Sequence, residues 1–310
     1  IAITEHIEYQ PWKDDIPHPD RNRSYEYHSN FAKNSDVLVL NGSEITRDMP
    51  PGHANAIFIK DANKLITEDP LDAYLEARKQ DAFIFWNHPY WASQSPDASV
   101  PLSTMHKNLM EKGLIEGIEI VNDTTFSNKA LQIALDYNLT ILGTSVIHGI
   151  VDWQYRIPSG GHRPVTLVFA REKTKSSLKK ALKAGQTVVW FKEKLIGKEE
   201  FLVPLINSSL DVKSAKYFEN TTVAHVIISN SSDAPCTLRN QSKYDFYNLT
   251  DLVIVPALGE VNIDVRTIKK TKKFELEFEV LSALIAPQKP VSYTHLRAHE
   301  TPEHLVSRLL

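Results

Sequence analysis

The stretch Phe83-Ile84-Phe85-Trp86-Asn87-His88 is a short apolar run that ends on a residue able to bind a metal ion. A continuous apolar run of this length is typical of a parallel strand buried on both faces. Three further segments share the pattern, and each ends on a glutamate or a histidine: 1–6, 37–44 and 139–148. Such strands, alternating with helices, predict a barrel whose strands end at one rim, where chemistry is usually done.

The residues at the four strand ends are candidate metal ligands: His6, Glu44, His88 and His148. A glutamate buried at a barrel mouth is costly unless it is paired, and a divalent cation supplies that pairing. An ion pair with an arginine is the competing explanation for Glu44. A single histidine at a strand end is more often a hydrogen-bonded polar residue than a ligand. The four residues together indicate a metal-dependent hydrolase.

Composition and charge exclude several other classes of protein. The chain has 310 residues and a formal net charge of −3, so electrostatics give no reason to expect nucleic acid as a partner. Its single cysteine, Cys236, cannot form an intrachain disulfide. No apolar run of about 18 residues is present, so no membrane span is predicted.

The pattern of elements divides the chain into three parts. Strands alternate with helices over 1–208, including a helix from Asp69 to Gln80 with Asp69 as its N-cap. Over 209–287 short strands alternate in hydrophobicity with a period of two, which predicts a small Ig-like antiparallel β-sandwich. Residues 288–310 resemble the translation product of a sequencing adapter, so we expect a non-native, disordered tail there.

Four motifs resemble those of the polymerase and histidinol phosphatase (PHP) superfamily: Thr4-Glu5-His6, Gly42-Ser43-Glu44-Ile45, Asn87-His88-Pro89 and the strand end at His148. Longer stretches are more specifically similar to Sb-PDE-type phosphodiesterases, namely 52–59, 85–91, 152–155 and 163–170. Members of that group join a PHP barrel to a small C-terminal β-domain. The resemblance covers residues 1 to about 287.

The resemblance implies a distorted (β/α)7 barrel that binds two or three divalent ions of zinc, manganese or iron. By the family's pattern, His6 and His148 share one ion, Glu44 bridges two ions, and His88 binds on the other side of Glu44. The implied function is a metal-dependent phosphoesterase, in which a metal-activated water hydrolyses phosphodiester or monoester bonds. The implied substrate is a small organophosphate ester.

Further residues are weaker candidates for the site. His53 is expected to act as a catalytic acid or to contact phosphate, although a hydrogen-bonded loop histidine is an equal alternative. Glu119 and Asn122 are candidates either for binding the metal directly or for hydrogen bonding to its ligands. Four aromatic residues suggest a mouth suited to organic esters: Trp86, Trp91, Trp153 and Tyr155. The predicted substrate-binding residues are Trp91, Trp153, Tyr155 and Arg163.

Two departures from the family pattern qualify this reading. The family's first strand ends in His-x-His, and that strand is absent here, so we expect the chain to be truncated at its N-terminus. The family's Asp-x-His aspartate is replaced by Val146, which has no lone pair to donate. We therefore expect the hydrolase activity of this polypeptide to be impaired.

Two alternatives stay open at this stage. An amidohydrolase-like barrel also uses strand-end histidines, but it normally carries a metal-bridging lysine, and no lysine ends a strand here. A degenerate PHP barrel could instead be kept as a non-catalytic binding or scaffold module. Val146 favours the degenerate barrel, whereas the intact His6, Glu44, His88 and His148 argue against it.

Overall fold

The computed structural model of the protein describes residues 1–11, 20–97 and 99–299. Within these residues the chain forms two compact units, Ile1–Val189 and a second unit that begins at Trp190. This boundary lies before the one expected at 208/209, so the helix that follows residue 198 belongs to the second unit.

The first unit contains one sheet of seven strands and two further strands. The sheet consists of β1 (Ala2–Ile3), β2 (Leu40–Ile45), β3 (Ala54–Ile57), β4 (Phe83–Trp86), β5 (Gly117–Asn122), β6 (Thr125–Phe126) and β7 (Thr140–Thr144). The two further strands are β8 (Val165–Val168) and β9 (Thr187–Phe191), of which β9 continues past the boundary at Val189. In the sheet β1 to β5 follow one another in chain order, and both β6 and β7 pair with β5.

The sheet is mixed, whereas the sequence pattern predicts parallel strands. β1 and β2 are parallel, as are β4, β5 and β7, but β3 is antiparallel to both β2 and β4. The connection 46–53 between β2 and β3 is too short for a crossover, which takes about a dozen residues or more. As a result, the amino end of β3 lies at the edge of the sheet where β2 and β4 have their carboxyl ends.

Six helices accompany this sheet: α1 (Arg23–Phe31), α2 (Pro70–Lys79), α3 (Thr104–Glu111), α4 (Asn128–Asp136), α5 (Val151–Gln154) and α6 (Lys175–Lys183). The Asp69 side chain accepts a hydrogen bond from the backbone of Leu71, which confirms the predicted N-cap of α2. Side chains of Ser103, Ser127 and Thr174 cap α3, α4 and α6 in the same way. Among the described residues, no helix has both the length and the apolar character that a membrane crossing requires.

One face of the sheet is apolar at its centre and polar at one edge. A buried cluster consists of Leu40, Ile57, Phe83, Phe85, Leu142 and Leu182. Glu44 lies opposite Asn55 in register, and Asn55 lies opposite Phe85. Residues directly opposite in neighbouring strands project from the same face. The side chain of Glu44 therefore projects on the apolar face, next to the edge of the sheet.

The second unit is built mainly of antiparallel strands. One sheet contains β11 (Leu210–Tyr217), β12 (Val223–Asn230), β14 (Asp245–Phe246) and β16 (Glu260–Arg266), all antiparallel. The other strands are β10 (Lys194–Gly197), β13 (Cys236–Asn240), β15 (Leu252–Val255), β17 (Lys273–Ala286) and β18 (Lys289–His299). Helix α7 (Glu199–Ser209) precedes β11. Alternate residues of β12, Ala224, Val226 and Ile228, are buried, as predicted for a sandwich.

Strand β18 lies in the segment that the sequence analysis expects to be a disordered tail. Residues Lys289–His299 instead pair with β17 along an antiparallel ladder. Val291, Leu296 and Ala298 are buried, because their apolar side chains continue the alternation of the sandwich. Residues 300–310 lie outside the described part of the chain.

Ending the chain after Gln288 should destabilise the second unit. The deletion removes the buried side chains of Val291 and Leu296 and exposes the buried Leu276 and Phe278 of β17. At about 1.5–3 kcal/mol per buried apolar side chain, we expect Tm to fall by about 10 °C or more. The reference chain ends after His299, so that both truncations lack residues 300–310. Equal Tm values for the two truncations in calorimetry would show that β18 contributes nothing to stability.

Candidate metal centre

Two histidines face the carboxylate of Glu44. His6 Nδ1 lies 3.1 Å from Glu44 Oε1, and His53 Nδ1 lies 2.7 Å from the same oxygen. The Glu44 side chain is only 12% exposed. A buried carboxylate must be paired to be tolerated, so these contacts indicate that Glu44 is part of a built site.

Backbone pairing of two strands places His6 beside Glu44. The His6 segment continues the parallel pairing of β1 and β2 as an isolated bridge between His6 and Glu44. The Glu44 N–H donates to Glu5 O at 2.9 Å, and the Ile7 N–H donates to Glu44 O at 2.9 Å. Thr46 Oγ1 lies 2.7 Å from His6 Nδ1. The flanking backbone hydrogen bonds and the ring contact with Thr46 together fix the orientation of His6.

His53 reaches the site because it directly precedes the antiparallel strand β3. Ala54 pairs with Ile45 on one side and with Trp86 on the other. The Asn87 N–H donates to His53 O at 3.0 Å, which extends the ladder by one residue. His53 is 8% exposed, so its imidazole is held in the interior of the rim.

His88 follows β4 in a strained conformation. Its φ is +24°, an uncommon value for a residue other than glycine. Its backbone N–H donates to Glu119 Oε2 at 2.7 Å, and the Trp91 N–H donates to His88 O at 2.8 Å. The ring centroids of His53 and His88 are 5.0 Å apart. Strain of this kind persists only where the surrounding structure fixes it, and here Glu119 does so.

Glu119 is a buried carboxylate that supports His88 from behind. Besides the His88 N–H, it accepts hydrogen bonds from Asn122 Nδ2 at 2.8 Å and from Thr144 Oγ1 at 2.7 Å. It is 1% exposed, and burial raises its pKa to about 7 against the effect of the three donors. Glu119 and Asn122 thus act on the backbone of His88 and on the end of β7.

The protonation states of the group suit cation binding. Burial opposes ionisation of Glu44, but the His53 and His6 imidazoles outweigh it and hold the pKa of Glu44 well below its ordinary value. The hydrogen bond with Glu44 raises the pKa of His6. Burial lowers the pKa of His88 to about 4, so this imidazole is neutral at pH 7. An ionised carboxylate and a neutral imidazole are the forms that bind metal ions.

The donor atoms of three residues are close enough to hold a cation. Ligand atoms of Glu44, His53 and His88 all lie within 4.8 Å of one another. A cation with bonds of about 2.0–2.2 Å holds opposite ligands at most about 4.4 Å apart, so small side-chain shifts would close the group. His53 Nδ1 and His88 Nδ1 are buried and form no aligned hydrogen bond with the described residues. A buried nitrogen without a partner, as in His88, fits a metal site, and so does one that faces a carboxylate, as in His53 with Glu44.

The fourth candidate ligand, His148, lies outside this group. It is exposed in the loop after β7, where its backbone N–H lies 3.4 Å from Gln154 Oε1. Val146 in the same loop has a φ of +43°, which is a strained value for a β-branched residue. The structure therefore brings His6, Glu44, His53 and His88 together without His148.

The candidate substrate-binding residues occupy different environments. Trp91 is 46% exposed, and its ring centroid is 5.3 Å from that of His88. Trp153 on α5 is 78% exposed. The hydroxyl of Tyr155 donates to Asp123 Oδ1 at 2.8 Å and also contacts Ser145 O, and burial raises its pKa. Arg163 is half-buried. Burial lowers the pKa of the Ile1 amino group, and the charge of Arg163 lowers it further. Only Trp91 contacts the rings of the group.

Sequence reasoning missed two contributions to this site. Thr46 contacts His6, but a threonine two residues past a strand end carries no distinctive signal. His53 was expected to contact phosphate or act as an acid, whereas the structure includes it among the three possible ligands. The sequence feature that could have predicted that role is the short connection between β2 and β3. A connection of this length joins antiparallel strands, which brings the residue before β3 to the rim.

Comparison with known proteins identifies the two units. Residues 210–295 match a family described as an Ig-like domain. That match includes the first residues of β18, in agreement with the ladder described above. No functionally curated protein sequence matches the chain.

One solved structure is similar over nearly the whole chain. It is a two-domain protein containing a predicted PHP-like metal-dependent phosphoesterase from Bacteroides vulgatus ATCC 8482, with 35% identity and a TM-score of 0.87. The match covers 96% of this chain and 85% of that chain. A structure of WR4, a C. elegans MSP family member, covers 30% of this chain and 98% of its own, with 12% identity and a TM-score of 0.22, too weak for any inference. The chain belongs to the family of two-domain proteins that contain a PHP-like metal-dependent phosphoesterase domain, followed here by an Ig-like domain.

Proposed function

We propose that the chain is a metal-dependent phosphoesterase that hydrolyses phosphodiester bonds of small organic esters, of the Sb-PDE type. The observation that carries the proposal is the group of Glu44, His53 and His88, with their ligand atoms within 4.8 Å of one another. The Bacteroides relative, described as containing a predicted PHP-like metal-dependent phosphoesterase, supports the reaction class.

The residues that would hold the cation are Glu44, His53 and His88, with His6 next to the same Glu44 oxygen as His53. A cation bound there polarises a phosphoryl oxygen and lowers the pKa of water toward ~7. Nitrogen and carboxylate donors suit zinc, manganese or iron. We propose that the site would hold at least two ions, as the family pattern implies, with Glu44 as the residue common to them.

His53 has a different role in this proposal from the one its sequence position suggests. Its Nδ1 lies 2.7 Å from Glu44 Oε1, so its ring faces the carboxylate. We assign it as a ligand. Glu119 then keeps the His88 ring in place through the backbone N–H, while Trp91 covers the two imidazoles at the mouth. An aromatic cover favours an organic group on the ester.

A diester fits the charge of this site better than a monoester does. Residues that contact the histidine rings, Tyr9, Thr46 and Trp91, carry no positive charge. The nearby Arg47 forms an ion pair with Glu8, with Arg47 Nε 2.7 Å from Glu8 Oε1. A phosphodiester carries one negative charge at neutral pH and a monoester nearly two, so the diester needs less compensation from the protein.

One observation favours the alternative of a non-catalytic binding or scaffold module. The loop after β7 contributes no ligand to the group, because Val146 has no donor atom and His148 is exposed. A site with fewer ligands binds its ions more weakly, and weak binding lowers the fraction of active enzyme. The two functions make the same prediction for metal binding and opposite predictions for ester cleavage.

Substituting Glu44 should abolish metal binding. Glu44→Gln removes the charge that both His6 and His53 face, so we expect the affinity for zinc, measured by competition with a chromophoric chelator, to fall at least 100-fold. His225→Ala is the matched control, because His225 also lies 2.7 Å from a carboxylate, that of Asp264, in the second unit. If the two variants bind zinc with equal affinity, Glu44 is not part of a metal site.

An ester-cleavage assay on the metal-loaded chain distinguishes an enzyme from a non-catalytic module. The zinc-, manganese- or iron-loaded chain should cleave bis(p-nitrophenyl) phosphate faster than p-nitrophenyl phosphate, and Glu44→Gln should abolish both activities. A chain that binds metal and cleaves neither ester is a binding module.

Removing the support of His88 should weaken metal binding without abolishing it. Glu119→Gln replaces one acceptor oxygen by an NH2 group, which opposes one of the three donors that face Glu119. We expect a loss of about 10- to 100-fold in metal affinity. Glu116→Gln is the control, since Glu116 pairs with Arg78 just before the same strand. The role of Glu119 is disproved if both variants bind zinc as tightly as the parent chain.

Two substitutions of Val146 should separate backbone strain from a missing ligand. Val146→Gly and Val146→Asp both fit a positive φ better than valine, so both should stabilise the chain by about 1 kcal/mol in denaturant unfolding. Only the aspartate adds a donor, so only Val146→Asp should raise metal affinity and diester cleavage. If Val146→Gly and Val146→Asp bind metal with the same affinity, position 146 is too far from Glu44, His53 and His88 to contribute a ligand.

A further inference from the structure

Asn55 has a buried side chain whose oxygen lacks a partner. The residue is 7% exposed, and its Oδ1 has no hydrogen-bond partner among the described residues. An unpaired buried amide oxygen costs about 1–3 kcal/mol. Such an atom in a native protein calls for an explanation, and a bound water or ligand is the usual one.

The register of β3 puts Asn55 at the floor of the candidate metal centre. Asn55 lies directly opposite Glu44 on one side and opposite Phe85 on the other. Cβ atoms of such pairs are about 4.5–5.5 Å apart and project from the same face. His53 is two residues earlier on that face, about 7 Å nearer the rim, and Ile57 is two residues deeper. On this strand Asn55 thus lies between His53 and Ile57, which belongs to the apolar cluster.

The chemistry of the atom restricts what it can bind. A carbonyl oxygen accepts a hydrogen bond from an O–H or N–H group or binds a cation directly, but imidazole and carboxylate groups, as in Glu44, His53 and His88, are the better ligands for zinc or iron. An ionised phosphodiester has no O–H, whereas water has two. The partner that fits both the acceptor and the proposed function is therefore a water molecule in the site.

We propose that Asn55 Oδ1 accepts a hydrogen bond from the water that attacks phosphorus and is thereby a catalytic residue of this chain. The inference rests on the proposed function. The water oxygen forms a bond to phosphorus as the ester P–O bond breaks, one water proton passes to solvent, and the leaving oxygen is protonated from solvent. The second O–H of the water stays bonded to Asn55, which is too weak a base to take the proton and so only fixes the direction of attack.

The test uses two asparagines with different orientations. Asn55→Val introduces a residue that favours strands and removes the acceptor, and Asn55→Ala is a second variant with no added bulk. Asn41→Val is the matched control: Asn41 is 8% exposed and its Oδ1 also lacks a partner, but it lies three residues before Glu44 and so projects from the other face of β2.

For bis(p-nitrophenyl) phosphate we expect kcat to fall about 10- to 100-fold in both Asn55 variants, with KM within about twofold of the parent value. Zinc affinity and the Tm of the metal-free protein should not fall, because no ligand or hydrogen bond is lost. Asn41→Val should retain the parent kcat. A kcat unchanged in the Asn55 variants, or lowered equally in Asn41→Val, overturns the proposal, and so does a loss of zinc affinity in the Asn55 variants.

A measurement without substrate separates this proposal from the proposed function. The visible spectrum of the cobalt-loaded chain changes with pH as solvent at the ion ionises, and the midpoint should move by about 0.5 pH unit or more in Asn55→Val but not in Asn41→Val. An unmoved midpoint overturns the role of Asn55 and leaves the metal site intact. Failure of the parent chain to bind cobalt, zinc or manganese overturns both proposals.

Discussion

The candidate site depends on one buried charge. The Glu44 carboxylate is 12% exposed, and a carboxylate at that depth is tolerated only with partners of opposite charge or with hydrogen-bond donors. His6 and His53 supply them at 3.1 and 2.7 Å. Each histidine comes from a different segment, so the single charge ties the ends of β1, β2 and β3 together. A cation placed among the same atoms would satisfy Glu44 more fully than the imidazoles alone.

The reversed direction of β3 is what makes the site dense. Parallel strands bring one residue each to the rim, from their carboxyl ends. An antiparallel strand brings its first residues instead, so His53 enters between the ends of β2 and β4. The next residue on the same face, Asn55, lies below it, and Ile57 lies below that. One short strand, with the residue that precedes it, therefore supplies a candidate ligand (His53), a buried polar residue (Asn55) and part of the apolar core (Ile57).

The contacts of Glu119 show how the strained backbone conformation of His88 is maintained. His88 has a φ of +24°, and its N–H is bonded to a carboxylate that is itself 1% exposed. Glu119 also binds Asn122 and Thr144, so the ends of β5 and β7 are joined to His88 through one side chain. A displaced His88 would leave a buried carboxylate with one donor fewer, which is unfavourable. This cost keeps the imidazole in place before any ligand binds.

The sequence by itself determined the residue types of the site and the two-part organisation. Apolar runs ending on His6, Glu44 and His88 predicted strand ends that carry ligands, and period-two patterning after residue 209 predicted the β-sandwich, because both patterns reflect burial along a single strand. Pairing between distant strands was decided only by the tertiary structure. It made β3 antiparallel, grouped His53 with Glu44 and His88, left His148 exposed, and added β18 to β17. Those outcomes depend on register and direction, which local periodicity does not encode.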